Sequence, residues 1–482
     1  MPQAFHLAFI PSVTLAQPAD DLLVLQTSTT RLNFQNLTPG LQAMLHTLAG
    51  TGATQPDLQA LVLQSDDAEV LSRFYYYLNR LQARGLLSAT LMVKGQPLAT
   101  LLPLTGVGLP QHESAEARYV LSRFAYCRRD AAHFQLESPL APARVLLHDG
   151  RAAALLAALA QPQDRDSLAQ AVPGMRVDSS EAFLVLLAQG GMLSTVNATG
   201  QSSEETQPTL GQWEFHDLLF HSRSRAGRHD QPVGGTYRFL DRFPPTPAVK
   251  PAMSTDVIPL YAPDLNVLKT SDRPLTDVLE ARRSWRQHGD PSITAQQLGE
   301  FLYRTARIRQ VHEGPQDTLA LRPMPGAGAL YALELYLAVD RCTDVPAGLY
   351  HYAPQGHHLE RLTERTPQVA QLLEGARYAA ALSADPQVLM ILAARFQRLA
   401  WKYTSIAYAL LLKDVGVLYQ TMYLVATAMD LAPCALGAGN ADLFATAAAL
   451  DYYAETSVGE FILGSKGPEL RPPVQPAAPG AL

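Results

Sequence analysis

Leu81-Gln82-Ala83-Arg84-Gly85-Leu86-Leu87-Ser88 reads as a helix end, a glycine stop and the start of an apolar strand. Leu187-Ala188-Gln189-Gly190-Gly191-Met192-Leu193-Ser194 reads the same way. This echo divides the front of the chain into two modules of one plan. Working outward from the first copy, Thr38-Pro39 marks a helix start, with Thr38 at the cap and Pro39 at the first helical position. Leu41, Met44, Leu45 and Leu48 then recur at helical spacing. A second helix is predicted over 58–63 and a third over 67–84, closed by Gly85. Residues 86–93 and 97–104, joined by Lys94-Gly95-Gln96, read as a β-hairpin. Three helices followed by a hairpin is the winged-helix order, preceded here by an apolar run at 22–26. Around the second copy, strand-like Phe134-Gln135-Leu136 precedes helices predicted over 151–159, 167–171 and 180–188. Residues 1–110 are thus a winged-helix-like domain, and 111–200 a second one.

Beyond them, 201–275 form a linker and docking segment, polar at 201–208 and proline-rich at 243–263. At its centre, Trp213-Glu214-Phe215-His216-Asp217-Leu218-Leu219-Phe220-His221-Ser222-Arg223-Ser224-Arg225 is dense in aromatics, His and Arg and is expected to pack on the following domain. Residues 276–467 form the largest unit, in which helices alternate with strands such as 333–339 and 460–463. A Pro/Ala-rich tail, 468–482, is expected to be disordered. With 47% hydrophobic and 17% charged residues among 482, the chain has ample material for packed cores. A net charge of −6, from 38 basic and 44 acidic residues, argues against non-specific nucleic-acid binding. Cys127, Cys342 and Cys434 are too few and too scattered for a disulfide framework or a zinc site, which points to the cytoplasm. The 13 histidines show no H-E-x-x-H spacing, so no metal site is expected. The N-terminus lacks the basic region of a secretory signal. Residues 406–429 have the length of a membrane span, but Lys413-Asp414 at their middle marks a buried core or interface helix instead.

Four constellations can carry chemistry. Arg282-Arg283-Ser284-Trp285-Arg286, just after a predicted helix over 275–281, offers guanidiniums and a hydroxyl suited to a phosphate. Arg322-Pro323-Met324-Pro325-Gly326-Ala327-Gly328-Ala329-Leu330-Tyr331 lets the backbone approach a flat ligand, although it lacks the GxGxxG spacing. Pro433-Cys434-Ala435-Leu436-Gly437-Ala438-Gly439-Asn440 is a second such loop, with Cys434 read as a small buried hydrophobe. Two such loops and a phosphate clamp imply a cofactor with a planar head and a phosphate tail. Lys402-Tyr403, following Phe396, Leu399 and Trp401, places an amine and a phenol where they can move a proton.

Taken in this order, and with the closing Gly459-Glu460-Phe461-Ile462-Leu463-Gly464-Ser465-Lys466-Gly467, these residues resemble the FMN-dependent nitroreductase superfamily. More narrowly they resemble its SagB/McbC-type azoline dehydrogenases, including the cyanobactin oxidases. The paired winged helices resemble the peptide-recognition domains of the long oxidases of that type. The resemblance implies an α+β fold with a central, mainly antiparallel sheet flanked by helices. It implies FMN as cofactor, with Arg282, Arg283, Ser284, Arg286 and Lys466 at its phosphate and ribityl chain. Pro325, Gly326, Ala327 and Gly328 would lie against the ring, and Leu436, Gly437, Ala438 and Gly439 would offer a backbone N–H near flavin N5. Lys402 and Tyr403 match the family's catalytic pair. The family loop often carries serine after its proline; here Gly326 stands there, so that hydroxyl is lost or replaced. The implied reaction turns a thiazoline or oxazoline of a ribosomally made precursor peptide into the thiazole or oxazole. A hydride goes to flavin N5, a proton to Lys402 or Tyr403, and dioxygen reoxidises the flavin. A homodimer and a cyclodehydratase partner are implied as well. The enzymatic alternative is a generic NAD(P)H-dependent nitro- or quinone reductase, which leaves the long front half without a task. The non-enzymatic one is a flavin-sensing winged-helix DNA-binding regulator, disfavoured by the charge of −6 and by Asp66, Asp67 and Glu69 at the third helix start.

Overall fold

Both glycine stops have the same geometry. Gly85 and Gly191 take left-handed φ values of 62° and 70°. Leu86 N–H donates to Leu81 O at 3.0 Å, and Met192 N–H to Leu187 O at 2.9 Å. The glycines' own N–H groups donate to Gln82 O and Ala188 O, at 2.9 and 3.0 Å. That pair of bonds is the Schellman stop, so the repeat in sequence is a repeat in backbone. The computed structural model describes residues 5–19, 21–28, 30–104, 118–131 and 133–467. The 110/111 boundary and the expected disordered tail, 468–482, lie outside the described residues. The chain forms two compact units, 1–231 and 232–482.

In the first unit, helices Pro39–Ala49, Gln55–Leu63 and Leu71–Ala83 precede the hairpin Leu87–Val93/Gln96–Pro103. Lys94 and Gly95, both at positive φ (53° and 75°), make its tight turn. Leu41, Met44, Leu45 and Leu48 are buried together with Phe74, Leu78 and Leu81. Thr38 sits at the N-cap, but its side chain does not cap the helix; its hydroxyl is turned to the Asp66 carboxylate. The second helix starts earlier than predicted, because Thr54 Oγ1 accepts from Asp57 N–H at 3.3 Å. The second module has helices Gly150–Ala158, Arg165–Ala171 and Val177–Gln189, but no hairpin follows them. Its short strand Leu193–Thr195 pairs instead with Tyr119–Leu121.

The two modules are also joined more closely than the sequence suggested. Gln96–Pro103 pairs antiparallel with Ala143–Leu147, so one seven-stranded sheet runs through both. One apolar core accordingly extends from Phe5 to Met192. The segment around Trp213 departs from expectation too, since it packs on the preceding module. Arg123 donates to Leu210 O and Trp213 O at 2.5 and 2.9 Å, and Phe215 meets Tyr126 edge-on at 6.0 Å. A separate three-stranded sheet, Thr14–Ala19/Leu22–Gln26/Arg31–Gln35, carries the apolar run at 22–26 as its middle strand.

The second unit is built on another antiparallel seven-stranded sheet. Its order is Val257–Pro259, His358–Glu364, Gly348–Ala353, Leu333–Val339, Val388–Arg395, Glu455–Ser465 and Leu431–Leu436. Helices Ala295–Ala306 and Ala407–Ala428 cover one face, Pro367–Ala380 and Ala441–Ala447 the other. Strand Val388–Arg395 is apolar up to its closing arginine because both faces are covered: Met390, Leu392 and Ala394 enter one core, Leu389, Ile391 and Ala393 the other. The expected linker is partly structural. Val257–Pro259 is an edge strand, and Gly234–Gly235 pairs with Tyr403–Thr404. Ala407–Ala428 is, among the described residues, the one helix long and apolar enough to cross a membrane. Leu411, Val415, Leu418 and Met422 bury one side of it in the core.

Candidate active site

The expected site residues gather into three groups. The first surrounds Trp285 and Tyr423. The chain leaves helix Leu275–Ala281 at Arg282 and is held along strand Leu431–Leu436 by Trp285 N–H, which donates to Pro433 O at 2.8 Å. Ala435 N–H donates to Tyr423 Oη at 2.8 Å, and Tyr423 lies 2.7 Å from Ser284 Oγ. With Tyr423 O–H donating to Ser284 Oγ, the serine O–H is left to donate outward. The Arg282 guanidinium lies over the Tyr423 ring at 5.4 Å, and that of Arg283 over Trp285 at 4.9 Å. Lys466 Nζ also lies over Trp285, 5.2 Å from the ring centroid, and pairs with exposed Asp430. A pair so open to water is weak and leaves the lysine free to exchange partners. Arg286 is exposed just beyond. Behind this group His288, pressed against Gly464, accepts from Gln387 N–H at 3.1 Å, and burial pushes its imidazole down to about 4.

The second group joins the Pro325–Gly328 loop to Lys402 and Tyr403. Gly328 has φ +58°, and a Cβ there would lie 2.4 Å from Tyr403 Oη and 3.2 Å from Lys402 Nζ. The two functional groups therefore bear directly on the loop backbone. A Cβ at Gly326 would lie 2.8 Å from the Tyr331 ring, which is why serine is not accommodated there. Ala327 N–H donates to both oxygens of Asp414, each at 3.1 Å. Burial pushes the Asp414 carboxyl up. On the other side, Thr236 and Tyr237 N–H both donate to Lys402 O, at 3.0 and 3.1 Å, and Lys402 Nζ lies 5.5 Å from the centroid of the Tyr237 ring. Arg398, buried and thereby lowered to about 10, donates to Leu330 O at 2.9 Å, to Thr246 O at 2.6 Å and to Thr318 O.

The third group is Leu436–Gly439, at the far end of the strand from Lys466. Leu431 pairs with Ser465 and Leu436 with Glu460, so the strand separates the two ends by about 17 Å. A side chain at Gly437 would meet nothing, whereas one at Gly439 would strike the Glu460 carboxyl. Glu460, hydrogen-bonded to Ser457, is pushed up by burial. A cavity of about 240 Å3 lies on the opposite sheet face behind this loop, lined by Leu372, Ala376, Leu436, Phe444 and Glu460. Cys434 is buried, with its thiol turned to Ala435 O.

A donor cluster at one end of a strand and a bare glycine at the other fit a ligand with an anionic tail and a planar head. The Lys402–Tyr403 group stands apart from the arginine cluster along one helix. It meets helix Ala407–Ala428 at Asp414, nine residues and about 13 Å before Tyr423. The sequence reading missed Asp414, Tyr423, Glu460 and Tyr237 as parts of the site. Asp414 carried a signal, a carboxylate within an apolar helix; Tyr237, in an irregular stretch, carried none.

Three family models match the chain in succession. Residues 1–109 match the ThcOx helix-turn-helix domain, 119–230 the cyanobactin oxidase ThcOx model, and 279–465 the nitroreductase family. A nitroreductase-named protein of Methanocaldococcus jannaschii is 28% identical over 183 residues, which is 38% of this chain and 85% of that one. Among solved structures, a nitroreductase-type protein of Ralstonia eutropha is 19% identical with a TM-score of 0.35, covering 50% of this chain and all of that one. A chain of the Escherichia coli microcin synthetase complex McbBCD, with truncated pro-MccB17 bound, is 18% identical with a TM-score of 0.34, covering 52% and 92%. The three matched stretches follow one another without overlap, and the chain is an oxidoreductase of the nitroreductase superfamily that carries the front modules of the cyanobactin oxidases.

Proposed function

We propose that the protein is an FMN-dependent azoline oxidase that converts thiazolines or oxazolines of a ribosomally made peptide into thiazoles or oxazoles. The observation that carries this reading is the contact of Lys402 Nζ and Tyr403 Oη with the Gly328 backbone, in a chain whose front half matches cyanobactin oxidase modules. Arg282, Arg283, Ser284, Arg286 and Lys466 would hold the FMN phosphate and ribityl chain, Pro325–Gly328 and Leu436–Gly439 its ring. When bound, FMN supplies the two-electron acceptor for the hydride, which dioxygen regenerates. Lys402 or Tyr403 takes the proton from the neighbouring ring carbon, and aromatisation drives the step. The glycines at 326 and 328 leave room for the Tyr331 ring and for Tyr403 and Lys402 against the loop backbone.

The first unit supports a peptide substrate. Strand Arg31–Gln35 is an edge strand beside helix Leu71–Ala83, and a groove of about 200 Å3 between them is lined by Leu32, Asn33, Phe34, Tyr76, Tyr77 and Arg80. An extended peptide adds to such an edge through its backbone. The opposite edge, Thr14–Ala19, contains Pro18 and a register shift, so it is blunted. Arg73 and Arg80 flank the groove, bonded only to Asn36 O and Tyr76 Oη, with no carboxylate in reach among the described residues. They suit an acidic segment.

The substrate's azolines require a cyclodehydratase upstream, which is the partner we infer. A homodimer fits the exposed apolar side chains of helices Leu275–Ala281 and Ala407–Ala428. The free cysteines fit the cytoplasm. The test is to purify the protein, release its chromophore and offer an azoline-bearing peptide. Bound FMN and a product two hydrogens lighter per ring are expected. Colourless protein that FMN does not reconstitute, or NAD(P)H-driven nitroarene reduction without peptide oxidation, would overturn the reading.

A further inference from the structure

We infer that Asp414 is a positioning residue for Lys402 and Tyr403, acting through the backbone of residues 326–328. This inference rests on the proposed role of that pair. Asp414 lies in the middle of helix Ala407–Ala428, and its residue is 7% exposed. Among the described residues no lysine, arginine or histidine pairs with it; Lys413 beside it is exposed. A carboxyl buried without a cation is costly to keep unless something hydrogen-bonds it. Among the described residues, the one group that does is Ala327 N–H, 3.1 Å from each carboxylate oxygen. The next residue is Gly328, whose backbone abuts Tyr403 Oη and Lys402 Nζ.

The loop needs such a hold. Gly328, Ala329 and Tyr331 all take left-handed φ values, of 58°, 57° and 47°. Two of them carry side chains that disfavour this region, so the path persists only where its surroundings impose it. Three ties do so. Tyr331 Oη donates to Met324 O at 2.8 Å, Arg398 Nε to Leu330 O at 2.9 Å, and Asp414 accepts from Ala327. The first two close the ends of the loop. Among the described residues, Asp414 is the side chain that ties Ala327, next to the glycine that bears on the pair, to another element. Without its acceptor, Ala327 N–H is unpaired and the Gly328 backbone is released from Tyr403. An amide at 414 presents one oxygen to the same N–H and keeps the hold.

The test compares Asp414→Ala with Asp414→Asn in the full-length flavoprotein. In azoline-peptide oxidation, Asp414→Ala is expected to lower kcat about tenfold or more, with KM within about twofold and FMN content unchanged. Asp414→Asn is expected to recover most of kcat. A merely structural carboxylate would not spare KM while being rescued by the amide. If Asp414→Ala is too unstable to assay, Asp414→Leu fills the space without an acceptor and should show the same loss. A second readout needs no substrate: the rate at which trace acetic anhydride labels Lys402, followed by mass spectrometry. It should change about threefold or more in Asp414→Ala and return in Asp414→Asn. Wild-type protein that oxidises no azoline would sink the proposed function, while the labelling rates would still decide the role of Asp414. Unchanged kcat and labelling in Asp414→Ala, or an Asn variant as impaired as the Ala variant, would overturn the inference.

Discussion

Tyr403→Phe and Lys402→Ala remove groups that touch the Gly328 backbone but hold no part of the proposed phosphate site. Both variants are therefore expected to keep FMN and lose turnover; unchanged turnover in both removes the pair from the mechanism. His288 gives a prediction of a different kind. Its imidazole is pushed down to about 4 by burial, from an ordinary 6.5. The unfolded chain thus binds a proton between these values that the folded chain refuses, so stability falls as pH drops from 6.5 toward 4. The contribution is roughly 3 kcal/mol at its limit. His288→Asn, which offers an oxygen to the same Gln387 N–H, should flatten the fall in Tm between pH 7 and 4.5 relative to wild type. Buried Asp414 and Glu460, raised instead, act in the opposite sense and cancel in that comparison. At this scale the sequence showed which residue types were suited to the chemistry but not which neighbours hold them. Gly326 reads as a lost serine until the Tyr331 ring is seen to occupy its Cβ space. Tyr423 reads as one more apolar helix residue until Ala435 and Ser284 are found on its hydroxyl.

Glycine stops, helix faces and tight turns depend on residues close in sequence, and these were legible. Leu81–Ser88 and Leu187–Ser194 predicted two like helix ends, and both are Schellman stops. Gly191→Ala should destabilise by about 1 kcal/mol or more, because its φ is left-handed and the new Cβ would meet Pro142 at 3.1 Å; urea denaturation measures it. Strand pairing depends on distant residues, and it was not legible. Nothing in 251–263 announces that Val257–Pro259 edges a sheet, since three residues carry no period. The groove beside Arg31–Gln35 was hidden for the same reason: it needs a strand and a helix about 40 residues apart in the chain. If a peptide adds to that edge, Asn33→Pro and the pair Arg73→Glu with Arg80→Glu should each weaken binding of a labelled acidic precursor peptide about tenfold in fluorescence anisotropy. Equal binding by these variants would move the peptide elsewhere.

Over the whole molecule, the antiparallel sheet between helical layers in the second unit was anticipated from the resemblance to the nitroreductase superfamily, since alternating helices and strands alone suit a parallel sheet as well. The union of the front modules was not, because the joint between Gln96–Pro103 and Ala143–Leu147 spans residues of two apparent domains. The same limit applies to the site. Within one chain the Lys402–Tyr403 group and the arginine cluster meet the same helix about 13 Å apart, so the sequence lists the parts without saying which chain supplies each. Leu275 and Leu279 are 66% and 45% exposed, four residues apart on one helix face, and Tyr408 and Leu412 are 47% and 39% exposed with the same spacing. The two helices pack on each other and leave these side chains to solvent. Apolar rows of this kind beside a phosphate cluster suit a second copy of the chain. If that copy completes the flavin site, light scattering should give a dimer for the wild type. Leu275→Asp with Leu279→Asp should give a monomer that has lost FMN in proportion, although neither leucine is assigned to the flavin. A monomeric variant that keeps its full FMN content would place the whole site within one chain and leave the dimer without a part in it.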